Sequence, residues 1–289
     1  MPRRRAHRAG WRRPASAVTV AITAAAAGLT AASPASALTT VNCATQNLQS
    51  AINSASAGAT LLVRGTCVGT FTIGKSLSLV GSSGATLNGN SAGRTLTVNG
   101  PASVRVALTS LTLTGGLAGD GNGGGLLNNG ATVTLSFTTV HNNSAGGGDG
   151  GGIASSGITT LHSSTVVNNS AGGDGGGIAS GGITRLNSSM VLNNSAGGDG
   201  GGMSHVGRGL LTVNASTVRG NRAFVRGGGM YVAGNAQVLN STITGNIANS
   251  TGGGIYNSSN LLVLLGNSVT GNMPNNCTST TPLPGCDPG

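Results

Sequence analysis

Three of the chain's five acidic residues, Asp149, Asp174 and Asp199, sit in one repeated glycine frame. The segment NNSAGGDGGG occurs at 168–177 and again at 193–202, and NNSAGGGDGGG begins at Asn142. Carboxylates repeated in this way could serve as oxygen ligands for a hard cation. Calcium takes about 6–8 oxygens, so Asn122 and glycine carbonyls would have to complete the shell. Glycoside hydrolysis needs two carboxyl groups about 5–9.5 Å apart, and in a chain without Glu only this column could supply them. Aligned on the glycine triplet, the preceding residue reads Asn122, Asp149, Asp174, Asp199, Arg226, Thr251, while Asp120 falls out of register. Arg226 could then act as a lyase base or simply pair with Asp199. A third reading is structural, because Asp before Gly is a good turn residue. Carboxylates about 5 Å apart in water repel by only about 0.8 kcal/mol per pair, so an exposed turn tolerates the column.

Two tyrosines form the other candidate site. Tyr231 and Tyr256 each follow an apolar residue, Met230 and Ile255, at equivalent positions. Their rings should stack on an outer face, where they could hold a sugar or staple neighbouring segments. With Arg226 they make up the ligand-binding candidates. Arg208, Arg219 and Arg222 lie close by in sequence and could meet an anionic glycan. His141, His162 and His205 are not at equivalent positions and read as surface residues, not as a metal site. A threonine array of the kind that binds ice is excluded, since only Thr242-Ile243-Thr244 keeps a clean Thr-x-Thr pattern.

These residues must be positioned by a repeat. Glycine triplets end at Gly125, Gly152, Gly177, Gly202, Gly229 and Gly254, in steps of 25 or 27 residues. Each is followed by an apolar residue (Leu126, Ile153, Ile178, Met203, Met230, Ile255). A second column holds Leu135, Leu161, Leu186, Val213, Val238 and Leu264, and a third has an aliphatic residue three positions before Asn, as in Val166 with Asn169 and Val191 with Asn194. The segments are too short and too rich in Thr, Val, Gly and Asn for helices. Three short strands per period, joined by turns, describe one coil of a β-solenoid whose coils stack at about 4.8 Å. Stacked Asn side chains can then hydrogen-bond along the axis.

Residues 60–110 carry the same texture with weaker repetition and form the first coils. Asn47 to Ser54 reads as a helical cap over one open end. The proline-bearing tail, 275–289, should close the other without continuing a ladder.

The first 37 residues read as an export signal: a basic leader, MPRRRAHRAGWRR, an apolar run from Ala17 to Ala32, and Ala35-Ser36-Ala37 as the cleavage pattern. The domain plan is therefore signal peptide 1–37, solenoid with its cap 38–274 and tail 275–289. Of the 15 basic residues six lie in the leader, so nine face five acids downstream, a net charge of +4. With no basic run and few aromatics, nucleic-acid binding is not expected, and the mature chain has no membrane span. An exported chain favours disulfides, and a straight solenoid keeps its ends apart, so Cys43 should pair with Cys67 and Cys277 with Cys286.

The pairing of GGG-[I/L/M] with [V/I]-x-x-N resembles the GGA-I and F-x-x-N repeats of polymorphic outer-membrane proteins, with Val or Ile in place of Phe. The stretch CATQNLQSAINSASAGATLLVRGTCVGTFTIGKSLSLVG is similar to secreted bacterial right-handed parallel β-helix proteins of the pectin-lyase-like type. The resemblance spans Cys43 to Asn272. It implies an all-β fold, a single-stranded right-handed parallel β-helix with capped ends. The acidic-polysaccharide hydrolases on this scaffold carry N-T-D, D-D, G-H-G and R-I-K motifs, none of which occurs here. The expectation is a monomeric protein, secreted or on the cell surface, that binds a polysaccharide or cell-surface glycan without catalysis. A divergent lyase acting on an acidic glycan and a purely structural surface protein are the alternatives, and calcium is the one cofactor the aspartates would suit. Secreted from a host that processes the leader, the protein should begin at Leu38 on N-terminal sequencing; a retained leader would refute the cleavage assignment.

Overall fold

The computed structural model describes residues 38–287, so the export signal at 1–37 lies outside the described residues. One period shows how the sequence makes a coil. Ile178–Ser180 is a strand, Gly181 and Gly182 turn the chain, and Ile183–Asn187 is a second strand. Ser188 adopts a left-handed backbone (φ 49°) before Met190–Leu192, and Asn193 (φ 51°) before Ser195–Ala196. A glycine arc then leads to Met203, where the next coil starts. The side chains of Ile178, Leu186 and Val191 are fully buried. Alternation with period two puts them inside, and each fully buried aliphatic contributes about 1.5–3 kcal/mol.

The coils build four all-parallel sheets. The first has nine strands, from Phe71–Ile73 to Cys277–Ser279, and the second ten, from Thr39–Asn42 to Leu262–Leu265. The third has nine, from Thr66–Val68 to Ser268–Thr270. Every strand pairs with its counterpart one coil away, so Ile153, Ile178, Met203, Met230 and Ile255 form one register column. This is a single-stranded parallel β-helix whose core is the stack of inward columns.

Two expectations need correction. Each of the five coils from Ser144 onward carries a fourth strand, a dipeptide ending in Ala after the asparagine (Ser-Ala three times, then Arg222–Ala223 and Ile247–Ala248), which makes a five-stranded sheet. The dipeptide is too short to show alternation, but in register with its neighbours it completes two amide bonds per step. The tail also continues a ladder: Cys277–Ser279 pairs with Ile255–Asn257, and the prolines that cannot pair come only afterwards.

The N-terminal end is closed by the helix Leu48–Ser54. Asn47 caps it by accepting the Ser50 N–H at 2.9 Å, and Leu48 and Ile52, one turn apart, are buried over the coil below. Gln49 accepts the Thr72 N–H at 2.7 Å and donates to its carbonyl at 3.0 Å, occupying the open edge of the first sheet. Both disulfides are the local ones, Cys43–Cys67 and Cys277–Cys286, one at each end.

Between the third and fourth sheets runs the asparagine ladder. Asn169 donates its backbone N–H (2.9 Å) and its Nδ2 (3.0 Å) to Oδ1 of Asn194, and its Nδ2 also reaches the Val140 carbonyl one coil back (3.0 Å). The same pattern links Asn143, Asn194, Asn221, Asn246 and Asn272. Asn194→Ala would strand the buried backbone N–H of Asn169, at about 1–3 kcal/mol, while its Nδ2 keeps the Val140 and Val167 carbonyls. Urea denaturation of this variant should show a loss of about 1–3 kcal/mol, and an unchanged midpoint would refute the ladder's role.

Candidate functional site

The residue before each glycine triplet ends the glycine arc, where the chain must bend sharply back into the first sheet. Gly175 takes φ +66°, and a Cβ on Gly176 would lie 2.3 Å from the Ser195 carbonyl oxygen, so neither position admits a side chain. The adjacent Asp174 is the nearest residue that can carry one. Asn122 accepts the Asp149 N–H at 2.8 Å, Asp149 that of Asp174 at 2.7 Å, Asp174 that of Asp199 at 2.7 Å, and Asp199 that of Arg226 at 2.9 Å. The predicted column therefore exists, and it is a hydrogen-bonded ladder in which one oxygen of each carboxylate is committed to an amide.

The three carboxylates are brought into one line, one per coil. Among the described residues no three of His, Cys, Asp or Glu are grouped so as to hold a metal. Burial pushes the Asp174 carboxyl above the usual carboxylate range, the negative charges of Asp199 and Asp149 add to the shift, and the Asp199 amide opposes it. Where the column changes to Arg226, Asp199 is buried and forms a two-point salt bridge: Nε to Oδ1 at 3.1 Å and Nη2 to Oδ2 at 2.7 Å. This pairing holds the Arg226 guanidinium well above its ordinary pKa, hence permanently protonated.

Arg226 also meets the tyrosines. Tyr231 and Tyr256 are register partners, with rings parallel to within 2° and centroids 5.6 Å apart. The guanidinium carbon lies 5.1 Å from one centroid and 4.8 Å from the other. The three ligand-binding candidates thus form one cluster, and Asp199 completes it.

Beside this cluster is a groove of about 380 Å³, flanked by Asn122, Asp149 and Asp174, with Leu127, Ala154, Ala179 and Ser204 among its lining residues. The latter four form one register column, whose next members are Tyr231 and Tyr256. Ala154, Ala179 and Ser204 make a trough, and two aromatic rings continue its line. Sequence reading identified the aspartates and tyrosines but not the trough between them. Its signal was present, since Ala154, Ala179 and Ser204 each follow the first core residue of a coil.

The remaining arginines do not join the site. Arg222 donates to Asn249 at 3.1 Å, and Arg208 and Arg219 are exposed. His205 corrects the reading of the histidines as surface residues. It is fully buried in the inward column of Ser155, Ser180 and Val232, and its Nε2 lies 3.0 Å from the Gly209 carbonyl oxygen. Burial pushes its pKa down, so it is held neutral. Gly209 is the counterpart of Gly182, whose carbonyl accepts from Ser180 at 3.3 Å in the preceding coil, so His205 takes over the acceptor of the residue it replaces in the column.

Fold and site together define a parallel β-helix protein with a surface groove ending at an aromatic–arginine cluster. No family model and no curated protein matches the chain. Among solved structures, the pectate lyase Pel9A is similar over 85% of this chain and 80% of its own, with 17% identity and a TM-score of 0.43.

Asp174 supplies the test of the column. Its raised pKa means that the folded state binds a proton more readily than the unfolded state, so its charge opposes folding at neutral pH and that penalty fades as pH falls towards 3.8. Asn at this position keeps the acceptor, as Asn122 does. Asp174→Asn should therefore melt at or slightly above the parent temperature at pH 7, with the difference shrinking in acid and no response to calcium in either protein. A calcium-dependent rise in Tm that Asp174→Asn abolishes would establish the metal reading instead.

Proposed function

We propose that the protein is a secreted, non-catalytic β-helix that binds carbohydrate along the groove beside Asp149 and Asp174. One observation carries this reading: the parallel Tyr231 and Tyr256 rings, with Arg226 fixed against both, continue the line of a trough floored by small residues. Sugar rings present C–H faces that pack on aromatic rings, while their hydroxyls need charged or polar edges, and the cluster offers both within one column. The leader pattern and the two disulfides support export.

The electrostatics bear on the kind of glycan. Among the described residues, the salt bridge at the site pairs Asp199 with Arg226 and leaves Asp149 and Asp174 without a cationic partner within ion-pair distance. A groove bearing two unneutralised carboxylates repels polyuronates and suits neutral or amino-bearing chains. The same geometry argues against the lyase alternative. A base must give up its proton, and an arginine gripped at two points by Asp199, its pKa raised further, holds it.

A glycan array probed with the folded protein, with and without calcium, tests the reading. Neutral or amino-bearing glycans should bind, and Tyr231→Ala should weaken them about tenfold or more at unchanged secondary structure. Preferential binding of polyuronates, or release of unsaturated sugar ends from them, would refute it.

A further inference from the structure

The turn between the second and third sheets contains a column of left-handed residues: Ser110, Phe137, Ser163, Ser188, Ala215, Asn240 and Gly266, with φ between 46° and 67°. Six of the seven are small or are asparagine, as this backbone requires. Phe137 departs from the rule at φ 52°, an outlier conformation for a bulky residue, and the residue is 68% exposed. It gains no core burial from the position. Backbone outliers of this kind concentrate where a function maintains them.

The ring borders a depression of about 380 Å³, whose lining includes Ser82, Ser83, Ser110, Thr112 and Thr139 and no charged residue. Among the described residues, none of these five hydroxyls forms a side-chain hydrogen bond within the protein. The contrast lies one position along, where Ser164, Ser189, Ser216 and Ser241 each accept an amide N–H from the preceding coil at 3.0–3.2 Å. Hydroxyls unused by the fold, an aromatic face and the absence of charge are together the complement of a neutral sugar ring.

We propose that Phe137 is the stacking platform of a second carbohydrate site, separate from the tyrosine groove and selective for neutral sugars. This rests on the reading of the protein as a carbohydrate binder and extends it, because the groove lies on the first sheet and Phe137 on the turn after the second. One molecule then carries two glycan sites on different parts of its coil, which raises avidity for a polysaccharide that can reach both.

The test is calorimetric titration of the folded parent, Phe137→Ser and Tyr231→Ala with cellohexaose, laminarihexaose and chitohexaose, with saturation-transfer NMR to locate contacts. Serine is the residue of the adjacent coils, so Phe137→Ser should unfold at the parent midpoint or above it. It should lose one of two sites, or weaken that site about tenfold, and lose saturation transfer from the phenylalanine ring. An unchanged isotherm in Phe137→Ser, with binding lost in Tyr231→Ala, would overturn the second site and leave the groove reading intact. Binding lost in Phe137→Ser and unchanged in Tyr231→Ala would support Phe137 and overturn the groove. A parent that binds none of the three sugars overturns both.

Discussion

The fold depends on satisfying the amides that point along its axis at the turns. Strand amides find carbonyls one coil away, but a turning backbone presents N–H groups that no strand answers, and burying them unpaired costs about 1–3 kcal/mol each. Side-chain oxygens from the adjacent coil fill the gap. Asparagines do so at one corner and serines at another, each accepting from the coil before, while the aspartates accept from the coil after. Together these ladders lock the repeated coils to their neighbours at fixed height.

That constraint explains where the sequence can vary. Successive ladder asparagines are 25 to 27 residues apart, yet their amide bonds stay at 2.9–3.0 Å. The extra residues are absorbed away from the ladder: one glycine in the arc before Asp149, two residues in the turn before Leu210 and one in the turn before Leu262. The longer turn is also where buried His205 finds its carbonyl. Repetition is strict where hydrogen bonds cross between coils and relaxed where the chain only has to return.

The site arises where repetition breaks. Near-identical coils carrying Asp149, Asp174 and Asp199 form an even trough, because small residues recur at its floor. The next coil replaces Asp with Arg226 and Ser204 with Tyr231, and the change puts a cation and an aromatic ring beside the last carboxylate. Asp199 serves both arrangements, since one of its oxygens holds the Arg226 amide and both hold the guanidinium. Phe137 is a similar departure within a column of small turn residues. Uniform coils supply the scaffold, and single exceptions supply the chemistry.

By itself the sequence determined the repeat, the inward columns, the stacking of Asn169 on Asn194, the helical cap and the local cysteine pairs. The first three follow from periodicity, since a period of known length fixes which residues meet; the cap follows from its helix-like stretch and the cysteine pairs from the distance between the solenoid's ends. It also placed Tyr231 on Tyr256 and Arg226 beside Asp199, because register alone decides such pairs. Only the tertiary structure decided what depends on direction and depth. The two-residue fourth strand is too short to carry a pattern, and the burial of His205 follows from which way its strand position faces. The direction of the aspartate ladder cannot be read from spacing, since a side chain one coil away could accept from either neighbour. The trough appears only once Ala154, Ala179 and Ser204 lie side by side beneath the carboxylates, as the absence of side-chain volume shows itself only against neighbours distant in sequence.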